Sequence, residues 1–334
     1  MRKAWTDMLS LRAILIDRQR LTEHGSMNQP LEGCLREAEN HGLTVIDIGI
    51  FSEADNRNEI AIEEMKEWLG RLGLSFCDCL MIADCEESVW QAKDFGAAVL
   101  GYEPDGCCLI QSHLDMIVQG FEEIDLNFLV RAYQRFFGLP WDILETNRCL
   151  VREMTLQDLD ALYELYQPQE VTHYLDGLDK DRQKEEARLK DHIRCMYRFY
   201  GYGMWAVVEK STGWLIGRAG FGHLTVGDML MPGDNCLVAE DMLMPELGYL
   251  IAADKQCQGY ATEVCRAILD YGWRELGFSH VYCRIKEENL ASVHLAEKLG
   301  FVRKKCVAEN GKMFLWYKNI AFFPETPYNK KNNH

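Results

Sequence analysis

Six residues, Gln256-Cys257-Gln258-Gly259-Tyr260-Ala261, constrain this chain of 334 residues more than any other segment. They follow the run Glu246-Leu247-Gly248-Tyr249-Leu250-Ile251 and precede a helical pattern that opens at Thr262. A strand that turns through a glycine into a helix leaves several main-chain N–H groups without helical partners. The helix dipole makes that end attractive to an anion, above all a phosphate. Gly259 permits either a positive φ or the close approach of a ligand. Taken alone, the turn also reads as an ordinary strand–helix connection, because any short loop with one glycine fits it.

A second segment changes that balance. Residues 286–301 read Lys-Glu-Glu-Asn-Leu-Ala-Ser-Val-His-Leu-Ala-Glu-Lys-Leu-Gly-Phe. Asn289 opens a helical pattern, Ser292 lies three residues on and shares its face, and Gly300 stops it. Strand–QxxGxA–helix, followed by N-x-x-S-x-x-x-x-E-K-L-G-F, resembles the GNAT acetyltransferase superfamily. The likeness is greatest to the branch that acetylates ribosomal-protein N-termini and similar amines. It covers residues 146–320.

The resemblance implies acetyl-coenzyme A as co-substrate and a primary amine as acceptor, either a protein N-terminus or a small-molecule amine. Attack is then direct, in a ternary complex without an acyl-enzyme. The cofactor-binding residues it implies are Gln256, Cys257, Gln258, Gly259, Tyr260, Ala261 and Thr262 around the diphosphate. Leu250 and Ile251 pair with the pantetheine amides, and Asn289 adds a hydrogen bond. The N–H of Ile251 is the candidate oxyanion donor. Glu246 is the candidate general base and Ser292 a candidate neighbour of the thioester sulfur. Each has a plainer alternative. Glu246 also reads as a half-buried strand carboxylate, Asn289 as a helix cap, and Ser292 as a packing residue. Many members of the superfamily carry a tyrosine general acid seven residues after the Asn; here that position is Ala296. The leaving thiolate therefore has no evident proton donor, and Tyr249 carries no firm assignment.

The first half has a different pattern. Short apolar runs at 11–16, 43–50, 79–83 and 97–102 alternate with helical patterns at 30–41, 58–71 and 88–95, and 110–137 reads as a closing helix. Alternation of this kind predicts a doubly wound parallel sheet with helices on both faces. Ligands of such sheets sit at the carboxyl ends of the strands, where Asp17, Ser52 and Asp84 fall. That arrangement, with Leu80-Met81-Ile82-Ala83-Asp84-Cys85, resembles the haloacid-dehalogenase-like (HAD) superfamily over residues 10–125. The departures are large. Gln19 stands where the family's second aspartate serves as acid and base, and Ser88 stands where another aspartate is usual. An amide does not exchange a proton at neutral pH, and magnesium prefers carboxylate oxygens. The half therefore reads as a catalytically degenerate scaffold, with a residual phosphate site or a magnesium-dependent phosphohydrolase using Asp17 as the alternatives.

The expected architecture is thus an HAD-like α/β domain over 1–140, a GNAT α+β domain with a mixed, splayed sheet over 146–320, and a loose tail over 321–334. Gly138-Leu139-Pro140-Trp141 marks the boundary. In the second half, strands are expected at 148–153, 204–208, 214–220, 246–252, 280–285 and 313–317, and helices at 155–166, 180–200, from 262, and at 289–299. A long loop is expected over 225–245. Arg303, Lys304 and Lys305 read as a solvated basic cluster.

Charge narrows the partners. Residues 1–140 carry 12 Lys+Arg against 24 Asp+Glu, and the remainder 24 against 28, for a net charge of −16. That balance argues against nucleic acid or an anionic membrane as the main partner. No run of eighteen apolar residues predicts a membrane span, and the N-terminus lacks the apolar core of a signal peptide. The thirteen cysteines lack the C-x-x-C spacing of zinc or redox sites. They read as reduced thiols of a cytoplasmic protein with no metal. A third reading, a coenzyme A-binding protein without catalysis, stays open, as do the identity of the amine and the oligomeric state.

Overall fold

The computed structural model describes residues 10–17, 21–23, 26–27, 29–48, 58–103, 114, 116–175, 177–225, 243–309 and 312–320. The chain divides into two compact units, Met1–Trp141 and Asp142–His334. Among the described residues no helix is long and apolar enough to cross a membrane.

The first unit holds a five-stranded sheet. Its elements are β1 (Ala13–Ile16), α1 (Gln29–Asn40), β2 (Thr44–Asp47), α2 (Asn58–Arg71), β3 (Cys79–Ala83), α3 (Glu86–Phe95), β4 (Ala98–Tyr102), β5 (Ile117–Val118) and α4 (Leu126–Phe136). The strand order is β2-β1-β3-β4-β5, every pair parallel. Strands β1, β3 and β4 are buried along their whole length, as a sheet covered on both faces requires. Two separate apolar clusters flank the sheet. One gathers Ile14, Leu31, Leu35, Leu80 and Leu129; the other gathers Leu15, Leu69, Met81, Val89 and Val99. The expected parallel sheet is therefore present. One expectation fails: 110–137 is not a single helix, since β5 pairs with β4 in its midst and the helix begins only at Leu126. Asp125 caps that start by accepting from the Phe128 N–H at 2.7 Å. Asp17 and Asp84 follow the neighbouring strands β1 and β3, which pair in register up to Ile16 and Ile82. Ser52, Arg18 and Gln19 lie outside the described residues.

The second unit is built on an eight-stranded mixed sheet. Its elements are β6 (Asp142–Glu145), β7 (Cys149–Arg152), α5 (Leu159–Tyr166), α6 (Arg182–His192), β8 (Met204–Glu209), β9 (Leu215–Thr225), β10 (Leu243–Ile251), α7 (Tyr260–Arg274), β11 (His280–Lys286), α8 (Leu290–Lys298), β12 (Val302–Glu309) and β13 (Lys312–Ile320). The order is β12-β13-β11-β10-β9-β8-β7-β6. The sheet starts at Asp142, so β6 comes ahead of the first strand expected, at 148–153. β12 forms where a solvated basic cluster was expected, and 243–245 extend β10 into the expected loop; the rest of that loop lies outside the described residues. Neighbouring pairs are antiparallel except β10 and β11. Those two run parallel and meet in register at a single pair, Glu246 with Tyr282. Beyond it they diverge, and the sheet opens into a V.

Candidate active site

The V follows from the strands on either side of it. β10 is tied along its whole length to β9, from Thr225↔Leu243 to Gly217↔Ile251. β11 is tied equally to β13. Past Glu246 each strand follows its own partner, and a gap opens between them. The Ala252 N–H donates to the Ile216 carbonyl on β9 at 2.8 Å. N–H groups alternate sides along a strand, so those of Tyr249 and Ile251 point away from β9, toward the gap. The Ile251 carbonyl on that side accepts from Gln256 Nε2 at 3.0 Å.

The turn closes the wide end of the V. Gly259 takes φ +84°, which glycine adopts without penalty, and Cys257 takes φ +57°, which costs a side-chain-bearing residue about 1 kcal/mol. The first N–H of α7 to find a carbonyl four residues back is that of Glu263, donating to Gly259 at 3.0 Å. The N–H groups of Tyr260, Ala261 and Thr262 have no such acceptor by the geometry of a helix start. Val264, Cys265, Ile268 and Leu269 bury the opposite face of α7 and hold its axis.

A cavity of about 880 Å³ fills the V. Eleven of the twelve expected site residues wall it. Glu246, Leu250 and Ile251 come from β10, and Gln256, Cys257, Gly259, Tyr260, Ala261 and Thr262 from the turn and α7. Asn289 and Ser292 come from the start of α8. Gln258 is the exception. Its amide folds back onto the Asp254 carbonyl at 2.7 Å, and its own carbonyl accepts from Arg148 at 3.1 Å. Ala296 also walls the cavity, with no hydroxyl to offer.

The side-chain chemistry is specific. Asn289 Oδ1 accepts from the Ser292 N–H at 3.2 Å, which makes Asn289 the cap of α8 as well as a cavity residue. The Tyr249 hydroxyl donates to Ser292 Oγ at 2.8 Å. Burial pushes the Tyr249 phenol above its usual range, so it stays protonated. Glu246 Oε1 stands 3.9 Å from Arg284 Nε.

Two residues that the local sequence pattern does not reveal hold the turn from behind. Glu209, at the end of β8, accepts from Tyr260 Oη at 2.5 Å and from Lys255 Nζ at 2.9 and 3.0 Å. The Tyr260 hydrogen bond, helped by Lys255, pulls the Glu209 carboxyl down to about 2. Arg148 lies 3.9 Å above the Tyr260 ring and pairs with Glu263 at 2.7 Å. Both ends of the turn are thereby pinned to distant strands. Their only sequence sign is their charge, since they stand 51 and 115 residues from their partners. Among the described residues no group of three metal-ligating side chains stands close enough to hold a metal ion.

Several known proteins are similar to part of this chain. Residues 148–302 match the family model of the acetyltransferase (GNAT) domain. YkkB of Bacillus subtilis, itself uncharacterized, is 30% identical over 187 residues, which is 56% of this chain and 96% of that protein. The uncharacterized N-acetyltransferase YoaA of the same organism is 29% identical over 163 residues, 48% of this chain and 84% of that one. The ribosomal-protein-S5-alanine acetyltransferase of Vibrio fischeri is 14% identical in sequence, covers 53% of this chain and 95% of that one, and superposes with a TM-score of 0.43. The family match lies wholly within the second unit, and through that unit the chain belongs to the GNAT acetyltransferases.

Proposed function

We propose that the second unit transfers the acetyl group of acetyl-coenzyme A to a primary amine, by direct attack in a ternary complex. The observation that carries this reading is the meeting of three features in one cavity: the parted β10–β11 edge, the unpaired N–H groups of the Gly259 turn, and the hydroxyl pair Tyr249–Ser292. The diphosphate sits on the main-chain amides from Cys257 to Thr262. The pantetheine arm runs as an added strand along Tyr249–Ile251, with Asn289 beside it, and the Ile251 N–H receives the developing oxyanion. Glu246, at the narrow end of the V, accepts the proton of the attacking ammonium, directly or through water.

Ser292 stabilises the departing thiolate. Because the Tyr249 hydroxyl donates to Ser292 Oγ, the serine's own proton is free to turn into the cavity and hydrogen-bond the sulfur. The proton that ends on the thiol is the one released by the attacking amine, passed on from Glu246 through solvent. The test is acetyl-coenzyme A turnover against a panel of primary amines, read by release of the free thiol. Initial rates are expected to intersect in double-reciprocal plots, as a ternary complex requires. Ser292→Ala is expected to lower kcat by about 10²-fold with little change in KM. Parallel plots from an acyl-enzyme, or a wild-type rate in Ser292→Ala, contradict the mechanism.

For the first unit the proposal is a non-catalytic HAD-like scaffold. Its support is the pair Asp17 and Asp84 at adjacent strand ends without a third metal-ligating side chain among the described residues. Magnesium-dependent hydrolysis of a phosphate ester, abolished in Asp17→Asn, would overturn it in favour of a phosphohydrolase.

A further inference from the structure

One face of the sheet carries a row of cations that continues outward from the cavity. Alternate residues of a strand share a face, and residues opposed across a ladder share it too. Tyr282 is opposed to Lys318; Arg284 is opposed to Trp316, and Trp316 in turn to Lys305; Lys286 is opposed to Phe314. Arg284, Lys286, Lys305, Lys312 and Lys318 therefore all rise from the face that Glu246 occupies through its pairing with Tyr282. From β7 to β12 in the sheet order, Glu246 is the one carboxylate on that face among strand residues whose side chains are described; Asp142 and Glu145 share it on β6, at the far edge.

The row is held over aromatic rings. Arg284 lies 5.8 Å from the Trp316 ring centre and 5.5 Å from that of Phe314. Lys305 lies 5.0 Å over Trp316, and Lys318 lies 5.3 Å over Tyr282. The rings hold the charged heads themselves on this face, and Arg284 also stands beside Glu246. Arg284, Lys286, Lys312 and Phe314 also wall the cavity, so the row begins at the reaction site. It reaches Lys305 two strand spacings away, about 10 Å, or roughly three residues of extended peptide.

Resting on the transferase reading above, we propose that the amine acceptor is the N-terminus of an acidic polypeptide segment. Its amine enters beside Glu246, and carboxylates within its first few residues lie along Arg284, Lys305 and Lys318. A small amine fills the cavity without reaching Lys305 or Lys318, and a polyamine is repelled by the row. The chain's net charge of −16 opposes a nucleic acid, whose charge extends far beyond the row. A short peptide instead meets the local cations within one screening length, about 8 Å at physiological salt.

The test uses the full chain, acetyl-coenzyme A and two peptides identical except that positions two to five are Asp/Glu in one and Lys in the other. The acidic peptide is expected to have about tenfold higher kcat/KM, in line with several exposed ion pairs of modest strength, and to lose that advantage in high salt. Lys305→Glu/Lys318→Glu is expected to remove or reverse the preference while acetyl-coenzyme A binding is unchanged. Fluorescence anisotropy of the labelled acidic peptide reads the same surface without turnover. Equal rates for the two peptides, a preference for the lysine peptide, or tighter binding of a single-stranded RNA of matching length each overturns the proposal. Acetylation of simple amines without any peptide preference sinks this proposal and leaves the transferase reading standing. Charge-dependent peptide binding without acetyl transfer to any amine supports this surface and sinks the transferase reading.

Discussion

Glu209 shows how one charge shapes the anion-binding turn. Its carboxylate takes hydrogen bonds from Tyr260, Lys255 and Thr212, and it is 5% exposed. A carboxyl held below its ordinary 4.5 contributes stability above that pH, and the contribution is lost as pH falls from 4.5 toward about 2. Glu209→Gln keeps the shape and removes the charge, leaving Lys255 without its counter-ion. The expected cost is about 1–3 kcal/mol in urea unfolding, with several-fold weaker acetyl-coenzyme A binding by titration calorimetry. Unchanged affinity with lowered stability would separate the fold from the site. Nothing near Glu209 in the sequence marks this role, whereas Gly259 and Asn289 were legible because a positive φ and a helix cap are local events. Tyr249 carried no firm assignment, because its partner Ser292 is 43 positions away.

At the scale of elements, the segment after α6 departs from its pattern. Residues 180–200 read as one helix, yet α6 ends at His192 and Ile193–Tyr200 form a π-helix closed by Gly201 at φ +76°. The wider turn carries Tyr197 to the Met204 carbonyl, beside which His192 Nε2 stands at 3.1 Å. Tertiary anchoring of this kind overrides a helical period that is otherwise unbroken. Burial, reinforced by Arg218, lowers the His192 pKa to about 4. An imidazole kept neutral in the fold but protonated when unfolded stabilises the fold above pH 6.5, and that stability drains away as pH falls from 6.5 to about 4. The prediction is a loss of about 1–3 kcal/mol over that window, seen in urea midpoints and absent in His192→Gln. An equal pH dependence in both proteins would contradict it. β12 was missed for a related reason. Its Arg303-Lys304-Lys305 run reads as solvated charge, and only pairing with β13, through a register shift at that run, makes it a strand.

Across the whole molecule, alternation of apolar runs with helical patterns made the parallel sheet of the first unit legible, because fully buried strands carry continuous apolar sequence. The parting of β10 from β11 was not legible from composition or period. It arises from two ladders competing for one pair of strands, and the motifs at Gly259 and Asn289 mark only its two rims. The proposed activity requires that gap to hold a thioester carrier through the main chain of the turn. Titration calorimetry of the full chain with acetyl-coenzyme A tests it directly. The predicted result is one site per chain for the wild type and no heat for Gly259→Asp, whose added carboxylate repels the diphosphate while circular dichroism stays unchanged. No binding to the wild type at millimolar acetyl-coenzyme A, or equal binding by both proteins, would contradict it.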